Sequence, residues 1–306
     1  MNSILFLEQV LNGLQFGLML FLLSAGLTLI FGIMDMINLA HGSLYMIGAY
    51  LVAMLTTACD SFWVGLLLGV VGTALIGVIL ELSFLRRLYR RNHLSQVLGT
   101  FGLMLITNEL VRLIWGDQPI TLNPPESLSG AIELLPGFYY SAYGICIIGF
   151  GLVIGLMLYL LITKSRLGMQ VRAGAANREM ALAMGGNVNR LFTIVFGIGA
   201  ALCGVAGGLL GPVLAVQVGM GESILILAFV VIVIGGIGSV RGAFWGALIV
   251  GLIDTASRTL IPMLFVLIMS PEAAANAAPA VASIAIYLLM AIILFVKPRG
   301  LFPIHA

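Results

Sequence analysis

Apolar residues run through this chain in long stretches, and the short segments between them hold most of its charged residues. A helix needs about 20 predominantly apolar residues to cross the hydrocarbon core of a bilayer. Stretches that approach or exceed this length are residues 10–33, 42–58, 62–85, 94–115, 142–163, 191–213, 223–240, 243–261 and 280–296. The pattern predicts an all-α, polytopic membrane helix bundle of eight to ten transmembrane helices, forming one domain over residues 1–306.

The overall composition agrees with this prediction and excludes several classes of protein. Of the 306 residues, 61% are hydrophobic and 8% are charged, with a mean hydropathy of +1.17. Because about a quarter of the residues in soluble domains are charged, a water-soluble protein is excluded. A net charge of +2 without a basic face excludes a nucleic-acid-binding surface. The three cysteines lie singly, so we expect neither a disulfide framework nor a metal site.

The basic residues predict which loops face the cytoplasm, because loops rich in Lys and Arg stay on that side of the membrane. They gather at 86–91, at 164–190 and after residue 296, whereas the segment 116–141 has three acidic residues and no basic one. We therefore expect 116–141 outside, and 86–91, 164–190, Arg241 and the C-terminus inside. Counting back from Arg86 places the N-terminus outside. No basic region precedes the first apolar stretch, as it would in a signal peptide, so we expect this stretch to be a retained helix.

Two interruptions of the apolar pattern are candidates for a solute pathway. The segment 32–42 places Asp35, Asn38 and His41 in an otherwise hydrophobic sequence, and the segment 235–242 is rich in glycine. Broken helices at membrane depth are tolerated where they are buried or line a cavity, and paired interruptions often mark a transporter's binding site. The alternative is a glycine-capped cytoplasmic turn, which we favour for the second interruption. For the first we favour a discontinuous helix.

Two acid–base pairs inside predicted spans are further candidates, since ionisable residues in spans are usually functional. Glu109 and Arg112, like Asp254 and Arg258, lie one helical turn apart with the acid first, which is the more favourable order. Both pairs either neutralise themselves or shape an outer vestibule for a solute or an external binding protein. Further hydrogen-bonding groups beside the first pair are Thr107 and Asn108. Such a lining would suit an amphoteric solute, such as an amino acid.

The sequence holds no motif for an energy source or a catalytic centre. A phosphate loop of the form G-x-x-x-x-G-K-[ST] is absent, because Lys164 and Lys297 lack the required glycines upstream. No nucleophile–base arrangement or metal-ligand cluster is visible either, so we expect no catalytic residue and no cofactor in this chain. Carboxylates deep in the apolar stretches, which gradient-driven carriers usually have, are nearly absent. Uphill transport would then depend on a partner.

Three blocks of sequence, spread in order over nearly the whole chain, resemble one family. Residues 26–42 read GLTLIFGIMDMINLAHG with MIGAY at 46–50, residues 168–185 read GMQVRAGAANREMALAMG, and residues 235–242 read GGIGSVRG with Gly246 and Ala247 following. Together the blocks are similar to the LivH-type permease of bacterial branched-chain amino acid ABC importers.

The resemblance implies a type II importer permease in the bacterial inner membrane. It would pair with a second homologous permease, two ABC ATPase subunits that bind ATP and magnesium, and a periplasmic solute-binding protein. The segment 164–190 would hold the helices that couple it to the ATPase. Residues assigned to coupling are Arg172, Asn177, Arg178, Glu179 and Gly185, the last matching the family's helix-breaking glycine. Residues assigned to the pathway are Asp35, Asn38, His41, Thr107, Asn108, Glu109, Asp254 and Arg258.

Alternative functions stay open at this point. A permease for a sugar belongs to the same superfamily, and urea or short amides are possible solutes within the LivH-like family itself. A stand-alone secondary carrier or channel is the alternative of a different class, and it predicts transport without ATPases. A membrane-embedded enzyme is the least supported alternative, because no catalytic constellation is visible.

Overall fold

A computed structural model describes residues 3–34, 36–89, 91–176, 180, 184 and 187–302 of the chain, and helices make up most of them. The helices are α1 (Ser3–Met34), α2 (Ala40–Cys59), α3 (Phe62–Leu80, continued by a π-helical turn at Glu81–Leu85 and by Arg86–Leu88), α4 (His93–Trp115), α5 (Ala142–Lys164), α6 (Arg166–Ala176), α7 (Val188–Leu210), α8 (Met220–Gly235), α9 (Val240–Val266) and α10 (Pro271–Val296). Within the described residues, all but α6 and α8 are long and apolar enough to cross a membrane, and α8 is a shorter apolar helix. The predicted polytopic helix bundle is confirmed, and the predicted count of nine spans is close to the eight long apolar helices together with α8.

Among the predicted spans that differ from the helices by more than one turn, two differ for clear local reasons. The stretch 223–240 is apolar throughout, yet α8 ends at Gly235 because Gly236 has a φ of +105°, which turns the chain out of the helix. The stretch 280–296 begins too late, since α10 starts at Pro271. Proline is well suited to the first turn of a helix, where its missing N–H costs nothing.

The core of the bundle surrounds α1, whose second half is almost entirely buried between α5, α7, α8 and α9. Glycines allow the closest of these contacts. Gly13 and Gly17 lie against the backbone of α9 at Gly251 and Ala247, where a side chain on either glycine would collide. Small residues give helices in lipid this close packing, which replaces the hydrophobic force that acts in water.

The two ends of the bundle differ in charge. One end, here called the hairpin end, carries the two-stranded antiparallel hairpin of β1 (Ala131–Leu135) and β2 (Phe138–Ser141). The opposite end, here called the basic end, holds α6 and every described Lys and Arg except Arg112 and Arg258. Of the described acidic residues, Glu81 alone lies at the basic end. This asymmetry matches the alternation of basic and acidic loops in the sequence.

Candidate functional site

A cavity of about 750 Å³ lies in the hairpin half of the bundle, between α1, α2, α8, α9 and the segment that joins α7 to α8. Sites for small molecules usually have about 300–1,000 Å³. Its polar lining residues are Asn12, Gln15, Tyr45, Gln217, Ser223, Asp254, Thr255 and Arg258, and apolar side chains such as Phe16, Ile224 and Leu227 complete the wall. A small solute with both charged and apolar parts is suited to this lining.

Asp254 and Arg258 form an ion pair on the α9 wall of the cavity. The Nε atom of Arg258 lies 2.9 Å from each carboxylate oxygen of Asp254. The side chain of Asp254 is only 6% exposed, whereas that of Arg258 is 55% exposed. Because this contact uses Nε, the terminal N–H groups of the guanidinium are left to bind an anionic group in the cavity.

The hairpin reaches the rim of the same cavity through Tyr140. Its hydroxyl lies 3.0 Å from Oδ1 of Asn12 and 3.0 Å from Oε1 of Gln15, and it can donate its proton to either oxygen. Burial, with a smaller effect of the charge of Glu8, raises the pKa of Tyr140 to about 12. The phenol keeps its proton at neutral pH, as an ordinary tyrosine does, and can hydrogen-bond one of these two cavity-lining amides at a time.

The predicted break between the first two spans is present, because α1 ends at Met34 and α2 begins at Ala40. Asn38 is buried at the break, and its Oδ1 accepts a hydrogen bond of 3.1 Å from the backbone N–H of Ala40. His41 is buried as well, with Nε2 3.2 Å from the backbone oxygen of Leu23 and 3.1 Å from Sγ of Cys203. Because α1 continues for about 16 Å beyond Leu23, the contact between His41 and Leu23 places the start of α2 inside the bundle and not at its end.

A second helix also begins inside the bundle, next to the first. α8 has 16 residues and spans about 24 Å, less than the ~30 Å of a hydrocarbon core. Its Gly221 touches Gly42 of α2 backbone to backbone, and a Cβ atom on either glycine would collide with the other's carbonyl oxygen. The starts of α2 and α8 thus cross beside the cavity, on which both helices also have lining residues.

The second interruption has the simpler structure that we favoured. Residues 236–239 form a tight turn between α8 and α9, with Gly236 and Gly238 at φ values of +105° and +82°. The hydroxyl of Ser239 accepts a hydrogen bond from the N–H of Gly242 and caps α9. Backbone N–H groups of the C-terminal segment, at Leu301 and Phe302, bond to the last carbonyls of α8.

At the basic end, Glu81 joins α3 to α7. Its side chain is fully buried in the π-helical turn and accepts hydrogen bonds from Arg86 at 3.3 Å, from the hydroxyl of Tyr89 at 3.1 Å and from the hydroxyl of Thr193 at 2.8 Å. Arg86 also donates to the hydroxyl of Thr193 at 2.8 Å. These contacts, here called the Glu81 network, satisfy a carboxylate that would otherwise be costly to bury.

The predicted coupling segment begins with α6, a short helix that packs against α1 and α7 at the basic end. Arg172 on α6 donates a hydrogen bond to the backbone oxygen of Ile162 near the end of α5. The other residues assigned to coupling, namely Asn177, Arg178, Glu179 and Gly185, lie outside the described residues, as does Asp35 of the pathway set. A role of Arg172 in coupling stays a prediction.

Comparison with known proteins gives a consistent result. The chain matches the family described as "Branched-chain amino acid transport system / permease component" over residues 9–294. It is 31% identical over 282 residues to the high-affinity branched-chain amino acid transport system permease protein LivH of Escherichia coli K12, covering 84% of this chain and 87% of the relative. It is 33% identical over 268 residues to the corresponding protein BraD of Pseudomonas aeruginosa, covering 81% and 85%. The chain belongs to this permease family. No solved structure matches it.

Family membership confirms the resemblance seen in the sequence. The permease is one component of a transport system, not an enzyme, and it is a multi-pass membrane protein. A probable LivH permease of Methanocaldococcus jannaschii, 30% identical over 264 residues, covers 81% of this chain and 80% of that relative. The matches extend over almost all the helices described above.

Of the predicted pathway residues, the structure brings Asp254 and Arg258 to the cavity and leaves the group on α4 elsewhere. Arg112 contacts Glu109 at 2.7 Å and Asp117 at 2.9 Å, and all three side chains are exposed. This geometry favours the self-neutralising alternative for that pair. The hydroxyl of Thr107 bonds to the carbonyl of Leu103, and Asn108 bonds to Glu222 of α8 at 2.6 Å. A pathway role for Thr107, Asn108, Glu109, Asn38 and His41 stays a prediction.

Several residues of the permease that line the cavity or join helices at the basic end have little signal in the sequence. Asn12 and Gln15 look like ordinary polar residues near the start of a span, and only folding brings them opposite Asp254 and Arg258. Glu81 lies between an apolar stretch and four arginines, where a charged residue normally marks the end of a span. A carboxylate so close to Arg86 was the available signal for an ion pair.

Proposed function

We propose that this permease is the inner-membrane subunit of an ABC importer for branched-chain or related amino acids, and that the cavity of about 750 Å³ belongs to its translocation pathway. The lining of the cavity carries this proposal. It joins a buried carboxylate, a half-exposed guanidinium and apolar side chains within one space. The names of the relatives, which describe branched-chain amino acid permeases, support the same solute class.

The chemistry of the cavity suits an amino acid in its zwitterionic form. The terminal N–H groups of Arg258 would bind the solute carboxylate, and Asp254 together with the amides of Asn12 and Gln15 would face the ammonium group. Phe16, Ile224 and Leu227 offer apolar surface to an aliphatic side chain. A permease needs only modest affinity here, because a tightly bound solute would leave slowly.

The orientation of the permease in the membrane follows from the charge asymmetry of the two ends. Loops rich in Lys and Arg stay in the cytoplasm, so the basic end faces inward and the cavity opens toward the periplasmic side. A periplasmic solute-binding protein would deliver the solute there. Two ATPase subunits, which bind ATP and magnesium, would contact the segment 164–190, and a second homologous permease would complete the pathway.

Transport would proceed by alternating access. ATP-driven closure of the ATPase dimer would displace the coupling segment and change the side on which the cavity opens. ATP can drive this change only if it interacts with different free energy in the two conformations. The crossing of α2 and α8 beside the cavity supplies two interrupted helices next to the solute, as in transporters that use broken helices for binding.

Uptake by the reconstituted complex tests this function. The permease is placed in proteoliposomes with its second permease, ATPases and binding protein, and the entry of labelled leucine, urea and ribose is measured. We expect uptake of leucine that requires ATP, with little uptake of urea or ribose. Proteoliposomes that hold the permease alone are the control and should show none.

Two outcomes would contradict the proposal. Leucine uptake by the permease alone, without ATPases, would indicate a secondary carrier or channel. ATP-dependent uptake of urea or ribose in place of leucine would keep the importer but assign a different solute.

A further inference from the structure

We propose that the groove between α5 and α9 at the basic end is a binding site for an anionic phospholipid, with Arg241 and Arg172 at its headgroup phosphate and an acyl chain along the two helices. The site is separate from the solute cavity, which lies in the hairpin half. It does not depend on which solute is transported.

The groove consists of two adjoining cavities of about 320 Å³ and about 400 Å³. They share Tyr159, Val240 and Arg241, so one continues into the other. The first extends to α6, where Arg172 forms part of its wall. The second runs along α5 as far as Leu152, over the ring of Phe21 on α1.

The length of the groove corresponds to one leaflet of a bilayer. Its lining residues on α5 run from Leu152 to Thr163, which is about 16 Å along a helix. One leaflet of the hydrocarbon core is about 15 Å thick. Arg241 contacts Tyr159, which is about 10 Å from Leu152 along α5, so a headgroup at Arg241 leaves about two thirds of a leaflet's depth for an acyl chain in the groove.

The deeper wall of the groove is suited to hydrocarbon. It is formed by Phe21, Leu156, Phe244 and Trp245 together with Gly155, which has no side chain to fill the space. Leu156 and Trp245 are more than half exposed. Aromatic side chains such as Trp245 and Tyr159 are also common where a span approaches the polar headgroups.

The wall at the basic end is suited to an anion. Arg241 is held at the edge of the groove, with Nη2 3.1 Å from the hydroxyl of Tyr159 and its guanidinium carbon 5.5 Å from the centre of that ring. No carboxylate lines either cavity. Within the described part of the chain, neither Arg241 nor Arg172 is in an ion pair.

These two walls together match a phospholipid better than a wholly apolar or a wholly polar partner. Guanidinium groups bind phosphate through paired hydrogen bonds, and basic pockets between membrane helices on the cytoplasmic side hold anionic headgroups. The start of α9, whose first turn includes Arg241, adds a favourable helix dipole for a negative charge.

Fluorescence of Trp245 provides the test, because the sequence has three tryptophans and the other two lie near the hairpin end. Replacing Trp63 and Trp115 by Phe leaves Trp245 as the reporter. The full-length protein is reconstituted in phosphatidylcholine vesicles containing either spin-labelled phosphatidylglycerol or spin-labelled phosphatidylcholine, and quenching is measured. We expect the anionic lipid to associate at least about fivefold more strongly, since each basic residue near the headgroups contributes about 1 kcal/mol.

The variants distinguish a defined site from the general positive charge of this end. Arg241→Gln should lower the ratio of the two association constants about fivefold, and Arg241→Lys should keep most of the preference, which also shows that the position tolerates substitution. Arg299→Gln removes the same charge from an exposed position that lines neither cavity and should leave the ratio unchanged.

Three results would overturn the proposal. Equal quenching by both lipids in the unsubstituted reporter would show that the groove does not select an anion. An equal loss of preference in Arg299→Gln would assign it to the overall field of the surface. Absence of quenching by either lipid would show that no lipid occupies the groove.

Discussion

Asp254 is the residue on which the cavity depends most, because its carboxylate is nearly buried and its only described cation is Arg258. A buried carboxylate that loses its partner keeps the full cost of desolvation. Arg258 itself is half exposed and can find water when its partner is removed. Replacing Arg258 therefore leaves a buried charge unpaired, whereas replacing Asp254 leaves a charge that water can reach.

Arg258→Gln is expected to lower the free energy of unfolding by about 1–3 kcal/mol, because it leaves Asp254 buried without a cation. Leucine uptake by the reconstituted complex should fall as well. The double variant Asp254→Asn, Arg258→Gln should recover part of the stability, since no charge is then left unpaired. Thermal unfolding in detergent measures the stability of the single and the double variant, and uptake by the reconstituted complex measures transport.

Arg112→Gln is the matched control, since it removes the same kind of group from an ion pair with exposed partners. Exposed pairs contribute little to stability, so its melting temperature should stay close to that of the unsubstituted protein. An equal decrease in the melting temperatures of Arg258→Gln and Arg112→Gln would show that burial of Asp254 does not determine the loss of stability.

At this scale the sequence predicted the cavity only in part. An acid and a base one turn apart in an apolar stretch stand out, which is how Asp254 and Arg258 were found. The same rule selected Glu109 and Arg112, which the fold leaves exposed. Asn12 is uncharged, so its place opposite Asp254 depends on helix packing that no local pattern encodes.

At the scale of elements, the crossing of α2 and α8 is the closest contact near the cavity. Gly42 and Gly221 meet there without side chains, and each is within reach of the other's carbonyl oxygen. Any side chain at this point must push one helix away from the other. Both helices begin at this level of the bundle, so such a displacement also reaches the cavity wall.

Gly42→Ala and Gly221→Ala are each expected to destabilise the protein by about 1–3 kcal/mol, the usual cost of overpacking a close contact. Uptake should decrease in parallel because the cavity wall moves. Melting temperature and leucine uptake are the measurements.

The control is Gly102→Ala on α4, where an added Cβ would meet nothing within 4 Å. Alanine favours a helix over glycine, so this variant should be at least as stable as the original. A decrease in melting temperature in Gly102→Ala as large as that in Gly42→Ala would indicate a general intolerance of substitution. It would argue against a specific effect of the close contact between α2 and α8.

The helices themselves were largely predictable, because apolar length is a strong signal in a membrane protein. The break near Asn38 was predicted from polar residues in an apolar run. The turn at 235–242 was predicted from its glycines, but the span was drawn to residue 240, since residues 236–240 are apolar or small and the positive φ of Gly236 is what stops the helix. The hairpin at 131–141 was also missed, because its strands are short.

At the scale of the whole molecule, the separation of charge between the two ends determines how the protein sits in the membrane. The described acidic residues other than Glu81 lie in the hairpin half, and the basic ones lie almost entirely at the basic end. Native cysteines offer a direct test, since Cys59 is exposed at the hairpin end of α2 and Cys203 is buried.

A membrane-impermeant maleimide added outside intact cells should label Cys59. In a Cys59→Ala, Cys146→Ala background, which removes the exposed and the partly exposed native cysteines, Met184→Cys, an exposed position within the segment 164–190, should react only after the cytoplasmic side is opened. Labelled protein is detected by its shift on a gel. Reaction of Met184→Cys from outside would place the segment in the wrong compartment for any ATPase and would remove the basis of the importer.

The Glu81 network has a consequence for how force would pass through the bundle. Thr193 belongs to the first turns of α7, directly after the segment that we assign to the ATPase, while Glu81 belongs to α3. Separating the two would break the hydrogen bonds that Glu81 and Arg86 make to the hydroxyl of Thr193, which is costly where the groups are buried. A force on the start of α7 should therefore move α3 with it, and α3 in turn packs along α2.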